Sequence, residues 1–224
     1  MVRERDLSDF TIVSKPTADL TADDRAIMFA LFDLAYRQAN HAYLEKSLGK
    51  LRFVALAMHG DVPAGFALGE MRVMDLPRLP QQDVVFAGIC CIDSQFRRRG
   101  LFGALELAAV MAAGIVPRSR MLSVGRMAHP ASFRVMNRET RVPRPGIEPT
   151  PWQQEVGQSI ADAYGVPHFD PKTFVCHGSG EPIGYPNIEM DLEPEEWQVF
   201  AHVDRDRGDS LLGLSWMPDA PDGW

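Results

Sequence analysis

Apolar residues recur at helical spacing through residues 20–48, LTADDRAIMFALFDLAYRQANHAYLEKSL, where Ile27, Leu31, Leu34 and Ala35 form one stripe and Glu45 and Lys46 fall on the solvated side. The spacing predicts one or two helices covering a sheet, with Thr21 as the cap and Asp23 and Asp24 in the first turn. The polar residues ahead of them predict a mobile leader. Two strand-like runs follow, Phe53 to Met58 and Gly65 to Met74, paired as a hairpin whose turn contains Gly60. PRLPQQ interrupts the pattern. Val84 to Asp93, VVFAGICCID, is then apolar without alternation, as expected of a central strand buried on both faces.

Gly100 to Ala113 is rich in Leu, Ala, Glu and Met and predicts a helix, and Ser119 to Met127 predicts the next strand. The order helix, hairpin, strand, helix, strand is that of an α/β fold with mixed strand pairing. A short helix from Ala131 to Arg138 comes next, then a proline-rich loop, a helix through QQEVGQSIADAYG ending at Gly165, a short strand in TFVCH, a helix with Pro194 near its start, and a strand in DSLLGLSWM. The chain divides on this reading into a core, residues 1–138, and a C-terminal extension, residues 139–224. The extension carries Trp152, Tyr164, Phe169, Trp197, Phe200 and Trp216, and is expected to pack on the core or cover a substrate.

Composition narrows the function classes. The 224 residues are 46% hydrophobic and 24% charged, in the range of globular proteins, and a chain this long buries a core without disulfide or metal staples. Thirty acidic against 23 basic residues leave a net charge of -7, which disfavours general nucleic-acid binding. Cys90, Cys91 and Cys176 have no metal-ligand spacing and are an odd number, pointing to a reducing, cytoplasmic setting; His41, His59, His129, His168, His177 and His202 have no metal spacing either. No apolar run reaches the length of a membrane span or a signal segment.

The chemical signal is the junction CCIDSQFRRRGLFGAL. An apolar strand ends near Ile92, a turn holds Arg97, Arg98, Arg99 and Gly100, and a helix begins at once. Unpaired amides at a helix start, the helix dipole and nearby guanidinium groups favour a pyrophosphate there, and Gly100 and Gly103 allow close approach. The sequence lacks the Lys-Ser/Thr ending of a P-loop and the glycine spacing of a Rossmann turn.

Arg97-Arg98-Arg99-Gly100-Leu101-Phe102 resembles the Arg/Gln-x-x-Gly-x-Gly/Ala motif of the GCN5-related N-acetyltransferase superfamily, with Phe102 in place of the last small residue and Gly103 directly after it. More weakly, the resemblance extends from Thr21 to Arg138. It implies a GNAT-like mixed central sheet flanked by helices that binds acetyl-CoA or another acyl-CoA as cosubstrate. It also implies backbone contacts from Cys90, Cys91 and Ile92 to the pantetheine arm, and a phosphate-facing turn from Arg97 through Leu101 and Phe102 to Gly103.

The implied reaction transfers an acetyl or small acyl group to an amine, which must lose a proton while the departing thiolate gains one. Many family members carry an acid on the central strand, but FAGICCI has none, so Glu70 on the hairpin is the substitute; a strand-face salt bridge is its structural alternative. The family's Asn and general-acid Tyr after the following strand match His129 and Met136. Met136 delivers no proton, and His129 is either a proton carrier or a helix cap before Pro130. Tyr36, Tyr43 and Tyr164 are unranked by spacing, Asp93 suits a turn or an arginine pair, and core packing is the ordinary role of the cysteines. The expected acceptor is an amine-bearing small molecule, with an acyl carrier protein or protein acceptor as other partners. A non-catalytic acyl-CoA-binding or regulatory protein is the alternative.

Overall fold

The computed structural model describes residues 7–116, 118, 120–188 and 190–224. In chain order the elements are β1 (Phe10–Pro16), α1 (Ala22–Ala35), β2 (Tyr36–Arg37), α2 (His41–Leu48), β3 (Phe53–His59), β4 (Val62–Leu76), β5 (Leu79–Ile92), α3 (Leu101–Met111), β6 (Met121–Met127), α4 (Pro130–Phe133), α5 (Pro151–Ala163), β7 (Phe169–Asp170), β8 (Val175–Cys176), β9 (Tyr185–Pro186), α6 (Pro194–Gln198) and β10 (Ser210–Met217). The architecture is α/β, a mixed central sheet flanked by helices with further strands and a helix from the C-terminal third. Two compact units divide the chain, residues 1–71 with 87–116, and residues 72–86 with 117–224.

In the first unit the strand order is β1-β3-β4-β5. β1 pairs antiparallel with β3 from Phe10↔His59 to Pro16↔Phe53, and β3 pairs with β4 through the turn at Gly60. The expected mobile leader is therefore corrected from Phe10 onward; residues 1–6 lie outside the described residues. Thr21 caps α1 as its sequence suggests: its hydroxyl accepts the Asp24 N–H at 3.1 Å while Asp24 accepts the Thr21 N–H at 2.9 Å. The buried stripe of α1 is Met28, Leu31 and Phe32, whereas Leu34 is 57% exposed, so the helix is rotated from the face its spacing predicts. α3 packs on β1 and β3, burying Leu101, Leu105 and Ala109 among Phe10, Ala55, Ala57 and Phe96.

In the second unit the order is β4-β5-β6-β10-β8-β7. Pro77 and Arg78 join β4 to β5, with Arg78 in the left-handed region at φ 64°, so the strand starts at Leu79, ahead of the Val84 start that PRLPQQ suggested. β10 pairs antiparallel with β6 from Leu211↔Met127 to Met217↔Met121, burying Trp216 completely. Ser119, the expected start of β6, lies outside the described residues. Among the described residues no helix is long and apolar enough to cross a membrane.

Candidate functional site

The end of β5 is turned by its own side chains. The Asp93 N–H donates to Ala64 O at 3.0 Å, and the Asp93 carboxylate accepts the Gln95 N–H at 3.0 Å and the Gln95 side-chain amide at 3.2 Å. That closes a 3-10 turn over Ser94–Phe96 and fits the turn-forming role expected of Asp93. Phe96 anchors it, 6% exposed, with its ring 5.5 Å from Phe10 and 5.2 Å from His59.

Beyond the turn the backbone alternates. Arg97 is extended, Arg98 is left-handed at φ 65° and Gly100 is left-handed at φ 95°. The left-handed residues at 98 and 100 turn the chain sharply into α3. The first helical bond of α3 runs from Ala104 N–H to Gly100 O, so the N–H groups of Leu101, Phe102 and Gly103 have no intrahelical acceptor, and no side chain caps this end. A Cβ on Gly103 would meet no heavy atom within 4 Å. The helix dipole makes this end electropositive.

The three arginines diverge. Arg97 Nε donates back to Ile92 O at 3.2 Å. Arg99 lies over the Phe10 ring at 4.7 Å and reaches Asp9 at 3.3 Å. Arg98 is exposed at the turn and has no ion-pair partner among the described residues. Leu101 is buried in the core and Phe102 is half-buried, so their contribution to an anion is their backbone.

Along the strand end, a Cβ on Gly65 would come within 2.8 Å of Cys91 O, which places the Cys91 backbone against β4. Backbone groups alternate sides along a strand, so those of Cys90 and Ile92 point away from β4, and Ile92 O is already taken by Arg97. Burial pushes the Cys90 and Cys91 thiols well above their usual range, and pushes Cys176 up to about 11. A neutral thiol is a poor nucleophile, which favours the packing role for all three.

Glu70 is 1% exposed, and its Oε2 accepts the Arg52 N–H at 2.9 Å and Arg52 Nε at 3.1 Å. The carboxylate thus ties the start of β3 to β4. His129 belongs to the second unit. Its Nδ1 accepts the Ala131 N–H at 3.2 Å, capping α4, and its ring meets Trp197 at 5.2 Å. Burial, with Arg205 nearby, lowers its pKa, which favours the neutral ring with its proton on Nε2. Met136 is buried, its sulfur against Gly213. Of the tyrosines, Tyr164 donates to Val124 O at 3.1 Å, while Tyr36 lies within electrostatic range of Cys90, Cys91 and Tyr43, burial holding its phenol protonated. Trp152 donates to Pro77 O at 2.7 Å and packs edge-on to Trp224, a core role. Among the described residues no three His, Cys, Asp or Glu side chains converge as metal ligands.

The sequence reading assigned nothing to Glu106, on α3 near Cys90. Burial raises its pKa to about 7. An acid raised in this way stabilises the fold least when ionised: stability falls as pH climbs from the ordinary carboxylate range through 7. Glu106→Gln is expected to raise stability by about 1–2 kcal/mol at pH 8 and to change little at pH 4, in urea unfolding at the two pH values.

No protein-family model matches the chain, and no curated protein sequence matches it. Among solved structures it is similar to the ribosomal-protein-S18-alanine N-acetyltransferase from Escherichia coli, at 10% identity and a TM-score of 0.44, over 96% of this chain and 99% of that one. It is also similar to an aminoglycoside acetyltransferase from an uncultured soil metagenomic sample, in complex with trehalose, at 12% identity and a TM-score of 0.38, over 57% and 84%. A third is an aminoglycoside N-acetyltransferase in complex with CoA, at 25% identity and a TM-score of 0.32, over 47% and 68%.

Proposed function

We propose that the protein is an acyl-CoA-dependent N-acyltransferase (EC 2.3.1.-) of the N-acetyltransferase superfamily, acting in the cytoplasm on an amine-bearing small molecule. The observation that carries this reading is the turn from Arg97 to Gly103, where left-handed residues at 98 and 100 precede three helix-start amides that have no intrahelical acceptor. The pyrophosphate of acetyl-CoA or another acyl-CoA sits on the N–H groups of Leu101, Phe102 and Gly103, with Arg98 as its mobile countercharge. The pantetheine arm runs along β5, using the backbone groups of Cys90 and the N–H of Ile92, whose carbonyl is engaged by Arg97.

In the reaction the amine nitrogen forms the new bond to the thioester carbonyl carbon, the carbon–sulfur bond breaks, and the CoA sulfur ends protonated. Glu70 and His129 remain the candidates for handling the amine proton. Arg52 engages Glu70, and the start of α4 engages His129.

The second reading, a non-catalytic acyl-CoA-binding or regulatory protein, is favoured by Met136, whose burial in the core leaves no proton donor at that position. Native mass spectrometry with acetyl-CoA and longer acyl-CoAs, followed by thiol release across small amines, an acyl carrier protein and peptides, separates the two. A CoA-sized adduct with acylated amine product is expected. An adduct without product from any acceptor would select the second reading, and no adduct from any donor would overturn both.

A further inference from the structure

The second unit holds a cavity of about 330 Å³ between α4, with the chain that follows it, and α6. Its apolar floor is Phe133, Pro130 and Val199. One ion pair lines it: Arg134 Nε and Nη2 each lie 2.5 Å from an oxygen of Glu196, and Nη2 also donates to Asp191 O at 2.8 Å. These two charges satisfy each other. The remaining charged side chains of the lining are Arg138 and Arg141 on one side of the sequence and Glu193 and Glu195 on the other.

Arg141 lies flat on the Phe133 ring, 4.6 Å from its centre, and its Nη1 is 3.4 Å from Phe133 O, a long contact for a guanidinium. Burial, with Arg138 and Arg144 nearby, lowers its pKa against the opposing pull of Glu196. Glu196, which acts on it electrostatically, is committed to Arg134. Arg138, Glu193 and Glu195 are exposed, with no ion-pair partner among the described residues.

The mixture of signs restricts the occupant. A simple anion drawn to Arg138 and Arg141 would also face Glu193 and Glu195, and a simple amine would face the two arginines. A molecule with both charges and an apolar body matches all three parts of the lining. At about 30 Å³ per water, the volume equals roughly ten waters, the low end for small-molecule sites.

We propose that this cavity binds a free apolar amino acid, its carboxylate on Arg138 and Arg141, its ammonium on Glu193 and Glu195, and its side chain on Phe133 and Val199. The proposal does not rest on acyl-CoA binding, because none of the lining belongs to the acyl-CoA turn.

Titration calorimetry on the full chain, without CoA compounds and at low ionic strength, tests it with L-leucine and L-phenylalanine. Phenethylamine, which lacks the carboxylate, and 3-phenylpropionate, which lacks the ammonium, are the controls. At least one amino acid is expected to bind saturably, and each control at least tenfold more weakly than phenylalanine or not at all. Arg138→Ala and Glu195→Ala, both at exposed positions, are each expected to weaken amino-acid binding at least threefold with the melting temperature unchanged. Absence of heat with both amino acids, equal binding of either control, or unchanged affinity in both variants would overturn the proposal.

Discussion

Replacing Gly103 by Asp is expected to weaken acyl-CoA binding by a hundredfold or more while leaving the fold as stable as before, or slightly more so. Gly103 is the third residue of α3, its N–H has no intrahelical acceptor, and nothing occupies the space where its side chain would begin. A carboxylate there suits the helix. It complements the dipole by about 0.3–1 kcal/mol, and removing a helical glycine adds roughly 0.5–1 kcal/mol. The same carboxylate opposes a pyrophosphate. At about 5 Å and an effective dielectric near 20, each phosphate charge meets a repulsion of about 3 kcal/mol, and 1.4 kcal/mol is about a factor of ten. Gly103→Ala adds bulk without charge and should cost less than about tenfold. Calorimetric titration with acetyl-CoA beside thermal melting reads both effects. A variant that melts normally and still binds acetyl-CoA would move the pyrophosphate away from this turn.

That turn was legible in the sequence because its signal is local: a buried strand, three arginines, a glycine and a helix-forming run within a dozen residues. What each arginine does was not legible. Arg99 is drawn off by Phe10 and Asp9, some ninety positions earlier, and that pairing exists only once β1 joins the sheet. β1 itself escaped notice because FTIVSKP is an edge strand with polar residues on both faces and Val13 half exposed, so it shows neither an apolar run nor clean alternation. Leu34 shows the opposite failure, an apolar residue at helical spacing left outside because Met28 and Phe32 define the buried face. The proline-rich PRLPQQ looked like a break, yet the turn needs only Pro77 and Arg78, and β5 takes up the rest. Glu106 could not be found from spacing, since its shifted titration comes from burial against the packed sheet. His129 and Glu70 were visible as titratable groups, whereas the bonds that engage them, to Ala131 and Arg52, are properties of the folded chain.

The largest loss of stability is expected from Asp209→Ala, far in sequence from any candidate site residue. The Asp209 side chain is fully buried at the entrance to β10, where Ser210 pairs with Cys176. It accepts the Gly178 N–H at 2.8 Å, the Asp204 N–H at 3.2 Å, and Arg207 Nε at 2.8 Å and Nη2 at 2.5 Å, with His177 Nδ1 at 3.4 Å. No methyl group can replace these bonds, and Gly178 cannot shift to find others, since even a Cβ there would lie 2.3 Å from Arg207 O. Leaving buried N–H groups unpaired and removing one partner of a buried ion pair costs about 3–5 kcal/mol; Arg207 is partly exposed and can rehydrate, which places the expected loss near 3 kcal/mol. Burial alone would raise the Asp209 pKa, but the Arg207 guanidinium and the Gly178 and Asp204 N–H groups hold it well below the ordinary carboxylate range. The stability it contributes is therefore complete above the ordinary value and is lost as pH falls below it toward the depressed one. Urea unfolding should show the full gap between the two proteins at pH 7 and a narrower one below pH 4. Asp209→Asn keeps the shape without the charge and should fall between them at pH 7, whereas a gap under 1 kcal/mol for Asp209→Ala would mean that the turn closes without its carboxylate.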